Sequence, residues 1–207
     1  MDSQNASITA RKPQRERGRL RVAALLEAAD QLFASKGYEA TTMTEIAAQA
    51  GSSIGSLYQF FPTKEHVADA VLTDHAADLY QRMTALTQQA IHWSVAETAH
   101  NLFSALIQFR AAHPAFAVLV EARGAPPVKA MGVRQKMREH VLHILRLKAP
   151  GFSDEALMPV AVVVLQIMKA AVALNGEEDL PTRRPALDEM RDMLEYWLIN
   201  RLSAPHP

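Results

Sequence analysis

Apolar residues return at three- and four-residue intervals along most of this chain, and the pattern breaks mainly at Gly and Pro. That period lines one side of a helix with apolar side chains. A chain that repeats it with few strand signals folds as an all-α protein. Val22, Leu25, Leu26, Ala29, Leu32 and Phe33 form the first such stripe, and Lys36–Gly37 is a helix stop. Thr42 and Glu45, three apart, fit a capping box that opens a second, short helix ending at Gly51. Ser52 and Ser53 are N-cap candidates for a third helix through Phe61. Pro62 breaks it, and Thr63 can cap a fourth that runs to about residue 90. Further helices are expected over about 94–112, from Pro114 toward Gly124, up to Lys148, and from a cap at Ser153 to about Leu174. Leu187, Met190, Leu194, Trp197, Leu198 and Leu202 mark the last. Val160–Leu165 is rich in β-branched residues that favour strands, but with no partner strand in view it reads as helix.

Composition narrows the chemistry. A 49% hydrophobic content excludes a disordered chain. The absence of Cys excludes disulfides, thiolate metal sites, iron–sulfur clusters and a Cys nucleophile. Lys and Arg balance Asp and Glu overall, yet Arg11, Lys12, Arg15, Arg17, Arg19 and Arg21 face only Glu16 within residues 11–21. That local excess points to a polyanion near the N-terminus. The first twenty residues lack the apolar stretch of a secretory signal. Leu157–Leu174 is interrupted by Pro159, Gln166 and Lys169, so it reads as a buried helix, with no membrane partner and a cytoplasmic location expected. His140 and His143 beside Glu139 supply two imidazoles and no third ligand, so neither a metal nor a cofactor is expected. His92, His100 and His113 read as core or pocket histidines. There is no phosphate-cradling Gly-rich loop, no His-Glu-x-x-His and no nucleophile elbow, so nothing points to an enzyme.

The short helices joined at Ala50–Gly51–Ser52 have the proportions of a helix-turn-helix. The stretch Ala47-Ala48-Gln49-Ala50-Gly51-Ser52-Ser53-Ile54-Gly55-Ser56-Leu57-Tyr58-Gln59-Phe60-Phe61-Pro62-Thr63-Lys64-Glu65 resembles the DNA-binding region of the TetR family of bacterial transcriptional regulators. Phe33, Gly37, Thr41, Thr42 and Ile46 also fall where that family's pattern puts them. Ser52 departs from it, since the family usually carries a small apolar residue there.

The resemblance implies a second helix that enters the major groove of double-stranded DNA. Thr42, Ser53, Tyr58 and Lys64 then look like phosphate contacts, with Ile54, Ser56 and Gln59 nearer the bases and Gly55 allowing close approach. Arg17 and Arg19 are weaker candidates, since a basic arm can reach a minor groove. The expected organisation is a flexible basic arm over 1–20, a three-helix DNA-binding domain over 21–65, and a helical effector-binding and dimerisation domain over 66–207. Both long C-terminal helices are apolar on a broad face, which a twin chain could cover in a four-helix interface. Val163, Ile167, Leu194, Trp197 and Leu198 are the candidates for that homodimer contact. Phe103, Ile107, Phe116, Met131 and Met137 are candidate walls of a pocket for a small organic effector. The expected function is a ligand-responsive repressor released from a near-palindromic operator. The alternative is a helical small-molecule binding protein whose DNA-binding domain no longer functions.

Overall fold

The computed structural model of the chain describes residues 11–121 and 127–203, with side chains described for 16–120 and 132–203. Among the described residues there are nine α-helices and no strand. They are α1 (Arg11–Lys36), α2 (Met43–Gln49), α3 (Ile54–Phe60), α4 (Lys64–Ala90), α5 (Val95–Ala112), α6 (Pro114–Glu121), α7 (Pro127–Lys148), α8 (Asp154–Asn175) and α9 (Arg183–Ser203). Their starts follow local chemistry. Thr42 and Ser94 open α2 and α5 with complete capping boxes, their hydroxyls accepting from the backbone of Glu45 and Glu97. Ser53 and Ser153 cap α3 and α8 by accepting from Ser56 N–H and Ala156 N–H. Thr63 does something else: its hydroxyl lies 3.0 Å from His66 Nδ1.

Residues 11–20 are helical, the first turns of α1, and not the flexible arm expected from their charge. Pro13 does not stop this helix because it sits in the first turn, where its missing N–H has no intrahelical partner to lose.

The chain divides into two compact units, at a point later in the chain than the expected boundary at 65/66. One holds the described residues up to His75 together with those between Pro114 and Ala130. The other holds Ala76–His113 and the described residues from Met131 onward. The cut falls inside α4, and α6 joins the first unit because it packs on α1. In the first unit Leu25, Ala29, Phe33, Ile46, Leu57 and Val67 are fully enclosed. His75 of α4 places Nε2 3.2 Å from Asp30 Oδ1 of α1, and its ring centroid lies 6.4 Å from that of Phe116 on α6.

In the second unit α5, α8 and α9 pack on one another. Leu102, Phe109, Leu157, Val164, Leu194 and Leu198 are buried there, each worth about 1.5–3 kcal/mol of transfer free energy. Lys148 ties the end of α7 to the α4–α5 turn by donating to the carbonyls of Ala90 and Trp93. α8 is long and apolar enough to cross a membrane by length and composition, but it buries its Leu157–Val160–Val164–Met168 stripe within this unit. Its β-branched run is helical, as expected.

Candidate nucleic-acid interface

α2 is pinned to α1 by polar ties at both ends. The Lys36 ammonium pairs with Glu45, whose Oε2 also accepts from the Thr42 N–H at 3.0 Å and the Thr42 hydroxyl at 2.9 Å. Hydrogen bonds first from Lys36 and then from Thr42 pull the Glu45 carboxyl down to about 2. At the other end the Gln49 amide donates to Gln31 Oε1 at 2.7 Å. The link to α3 turns at Gly51, whose φ of +60° lies in the left-handed region that a residue without a Cβ enters freely. Ser52 N–H then donates back to Ala47 O at 2.9 Å, closing the turn.

α3 therefore leaves α2 on a fixed course. It buries Leu57, and Phe61 just beyond its end is also buried. Ser53, Gly55 and Gln59 are exposed, as are the large apolar side chains of Ile54, Tyr58 and Phe60. Ser53 accepts from Ser56 N–H at 3.2 Å, so it serves as a cap. Arg21 of α1 donates to Ser56 Oγ at 3.4 Å, which sets a guanidinium beside the outer face of α3. Sequence reading placed Arg21 in the basic cluster without assigning it to this face. Its only signal was charge, because its partner lies 35 residues further on. The exposure of Phe60 was also missed.

Two expected phosphate contacts have partners within the chain. Lys64 spends its ammonium on three backbone carbonyls, at 2.8 Å from Tyr38 O, 3.0 Å from Thr41 O and 3.1 Å from Glu39 O. It also lies 4.5 Å over the Tyr38 ring. An ammonium has three donors, and here all three of those of Lys64 go to backbone carbonyls, which staples the α1–α2 turn. Burial, and then the Glu65 carboxylate, push the Tyr38 phenol up to about 12. Thr42 likewise directs both its N–H and its hydroxyl to Glu45 and is a cap.

The candidates further along the chain scatter. Phe116 belongs to the first unit, while Phe103, Ile107 and Met137 belong to the second. Phe103, Phe116 and Met137 are buried; the side chain of Met131 lies outside the described residues. Leu194 and Leu198 are 0% and 1% exposed, so they are corrected from interface to core. A side chain enclosed by its own chain has no surface left to give a partner. Ile167 and Trp197 are partly exposed and Val163 is exposed. His92 and His100 are exposed and not core residues. His113 sets Nε2 2.9 Å from Asp78 Oδ2, and Arg82, the larger influence, together with His113 lowers the Asp78 carboxyl. His140 stacks on Tyr80 with centroids 5.9 Å apart, and no cluster of three metal-binding side chains forms among the described residues.

Two rigidly joined helices, the second bearing an uncharged outer face, define a helix-turn-helix protein of the kind that regulates transcription. Comparison with known proteins gives the particular group. Residues 25–71 match the family model described as bacterial regulatory proteins, tetR family. Residues 94–198, half of the chain, match the tetracyclin repressor-like C-terminal domain. The chain belongs to the tetR family of bacterial regulatory proteins. It is 27% identical over 186 residues to an uncharacterized HTH-type transcriptional regulator, YhgD, of Bacillus subtilis, covering 87% of this chain and 95% of that one. A 56-residue stretch is 45% identical to the HTH-type transcriptional repressor KstR2 of Rhodococcus jostii, 27% of this chain and 28% of the relative. Among solved structures, a bacterial regulatory protein in the tetR family from Rhodococcus RHA1 aligns with a TM-score of 0.69 at 19% identity, over 90% of this chain and 98% of that one. AibR, solved with isovaleryl coenzyme A and operator DNA, aligns with a TM-score of 0.69 at 18% identity, over 84% and 97%.

Proposed function

We propose that this protein is a repressor that binds a near-palindromic operator as a homodimer in the cytoplasm and is released by a small organic effector. The observation that carries this is the outer face of α3. Ser53, Gly55, Tyr58 and Gln59 stand exposed on a helix whose course is fixed by the Gly51 turn and the ties of α2 to α1. Such a face, presented rigidly, suits base reading in a major groove, and Arg21 beside it supplies a phosphate partner.

A dimer is supported by apolar surface left open on the C-terminal helices. Met158, Val162 and Val163 of α8 and Met193, Tyr196 and Ile199 of α9 are between 36% and 73% exposed. Met158 and Val162, four apart, and Met193, Tyr196 and Ile199, three apart, line up in rows on their helices, and a twofold partner would cover such rows. Release by effector has a mechanical basis inside the first unit. α6 packs on α1, and His75 Nε2 of α4 lies 3.2 Å from Asp30 Oδ1 of α1. Both α4 and α6 continue in sequence into the segments that build the second unit. An effector that prefers one setting of α4 and α6 thus biases α1 and, through it, α2 and α3. Linkage requires DNA to weaken effector binding by the same factor.

The test is fluorescence anisotropy of the purified chain on its own upstream intergenic DNA at several salt concentrations, with scrambled competitor. Binding that survives the competitor and falls steeply with salt supports the reading. Short acyl-coenzyme A thioesters and γ-butyrolactones, the chemistries named for structural neighbours, are then titrated as first effectors. Failure to bind any sequence in a genome-wide selection would leave the helical small-molecule binding protein as the better account.

A further inference from the structure

α3 carries a glycine that the fold does not require. Gly55 is exposed and helical, and its φ is not among the positive values, which belong to Gly37 and Gly51. A Cβ built on it meets no atom within 4 Å. Neither backbone conformation nor internal packing asks for glycine here, although glycine weakens a helix relative to other residues. The space it leaves open faces out of the chain.

Gln59 is one turn further along the same side. At about 100° per residue, Gly55 and Gln59 each lie roughly 160° around the helix from the buried Leu57, which makes them the outermost positions of α3. Helical side chains lean toward the N-terminus, so Gln59 leans over the place that a side chain at position 55 would fill. Its amide has no hydrogen-bond partner among the described residues, whereas the other α2–α3 glutamine, Gln49, is bonded to Gln31. α3 itself, Ile-Gly-Ser-Leu-Tyr-Gln-Phe, has no Lys or Arg. The side chains that grip guanine O6 and N7 are therefore missing from it, while a glutamine amide matches adenine N6 and N7 with both its donor and its acceptor.

We propose that Gly55 and Gln59 form one base-reading notch, in which the Gln59 amide pairs with both polar groups of an adenine edge and Gly55 lets the base pair come close enough for it to do so. Each half-site then contains one A·T pair fixed by this contact. The inference rests on the DNA-binding reading above and sharpens it to a named base.

The experiment is selection of randomised duplex DNA by the full-length chain and by the variants Gln59→Ala, Gln59→Arg and Gly55→Leu, with melting temperatures recorded alongside. The wild type should select a near-palindrome with one invariant A·T pair per half-site. Gln59→Ala should relax that pair alone, losing about tenfold of its discrimination, with an unchanged salt slope and melting temperature. Gln59→Arg should move the preference to G·C. Gly55→Leu should melt no lower than the wild type and bind the operator at least tenfold more weakly. A palindrome whose preferences survive Gln59→Ala, or a relaxed pair that proves to be G·C, overturns the notch and leaves the DNA-binding reading standing. Full affinity in Gly55→Leu overturns the part given to glycine. Selection of no sequence at all overturns the DNA-binding reading itself.

Discussion

Lys64 shows how a residue in a functional motif can be spent on the fold. Three carbonyls of the 38–41 turn take its donors, and Tyr38 lies beneath the charge. Replacing it with Met should cost about 2 kcal/mol of stability, since hydrogen bonds to a charged group are lost together. Urea titration measures this; full stability with a shallower salt dependence of DNA binding would return Lys64 to the phosphates. Glu45 supplies a pH signature. Its carboxyl is lowered from 4.5 to about 2 in the folded protein, chiefly by Lys36 and then by Thr42. A depressed folded value contributes stability that is complete above about pH 4.5 and is lost as pH falls toward 2. Melting curves of the wild type and Glu45→Gln should therefore differ at pH 6 and converge as the pH falls. A gap that stays constant across that range would show that Glu45 does not act through its charge. Neither role was fully legible in the sequence. The Thr42–Glu45 box is local and could be read from spacing, but the partners of Lys64 lie 23 to 26 residues upstream and no pattern along the chain announces them.

At the scale of elements, caps and turns carried most of the information. Ser53 and Ser153 cap the helices expected of them, Ser94 caps the helix expected over about 94–112, and Gly51 turns between α2 and α3. Each of these is a contact among residues at most five apart, so a linear reading can find it. The Gly51 turn sets the direction of α3, and a Cβ there would meet no neighbouring atom. Gly51→Ala should thus cost only the backbone penalty of the left-handed conformation, about 1–2 kcal/mol, measured by thermal melting. A loss well beyond that would mean the turn cannot hold its geometry and α3 repacks. The start of α1 was misread for a physical reason. Clustered positive charge suggests a solvated tail, but charge is compatible with an exposed helix, and Pro13 falls where a helix tolerates it.

For the whole molecule, a helix with apolar residues on more than one side poses the question of what covers which side. α9 turns Leu194, Leu198 and Leu202 into its own unit and leaves Met193, Tyr196 and Ile199 outside. The two sets therefore respond differently to the same substitution. Leu198→Glu should unfold the chain, because a charge buried without a partner costs several kcal/mol. Val163→Glu combined with Tyr196→Glu should melt near the wild type and run as a monomer in light scattering. A stable dimer in that double variant would place the contact on another surface. Periodicity, caps and the glycine turn are short-range properties, and from them the sequence alone determined that the chain is helical and where most of its helices begin and end. Tertiary structure decided the rest: that α6 joins the N-terminal unit, that Lys64 faces inward while Arg21 stands beside α3, and which side of α9 is core. Those outcomes depend on contacts between residues tens of positions apart, and many arrangements of the same helices satisfy the same apolar period.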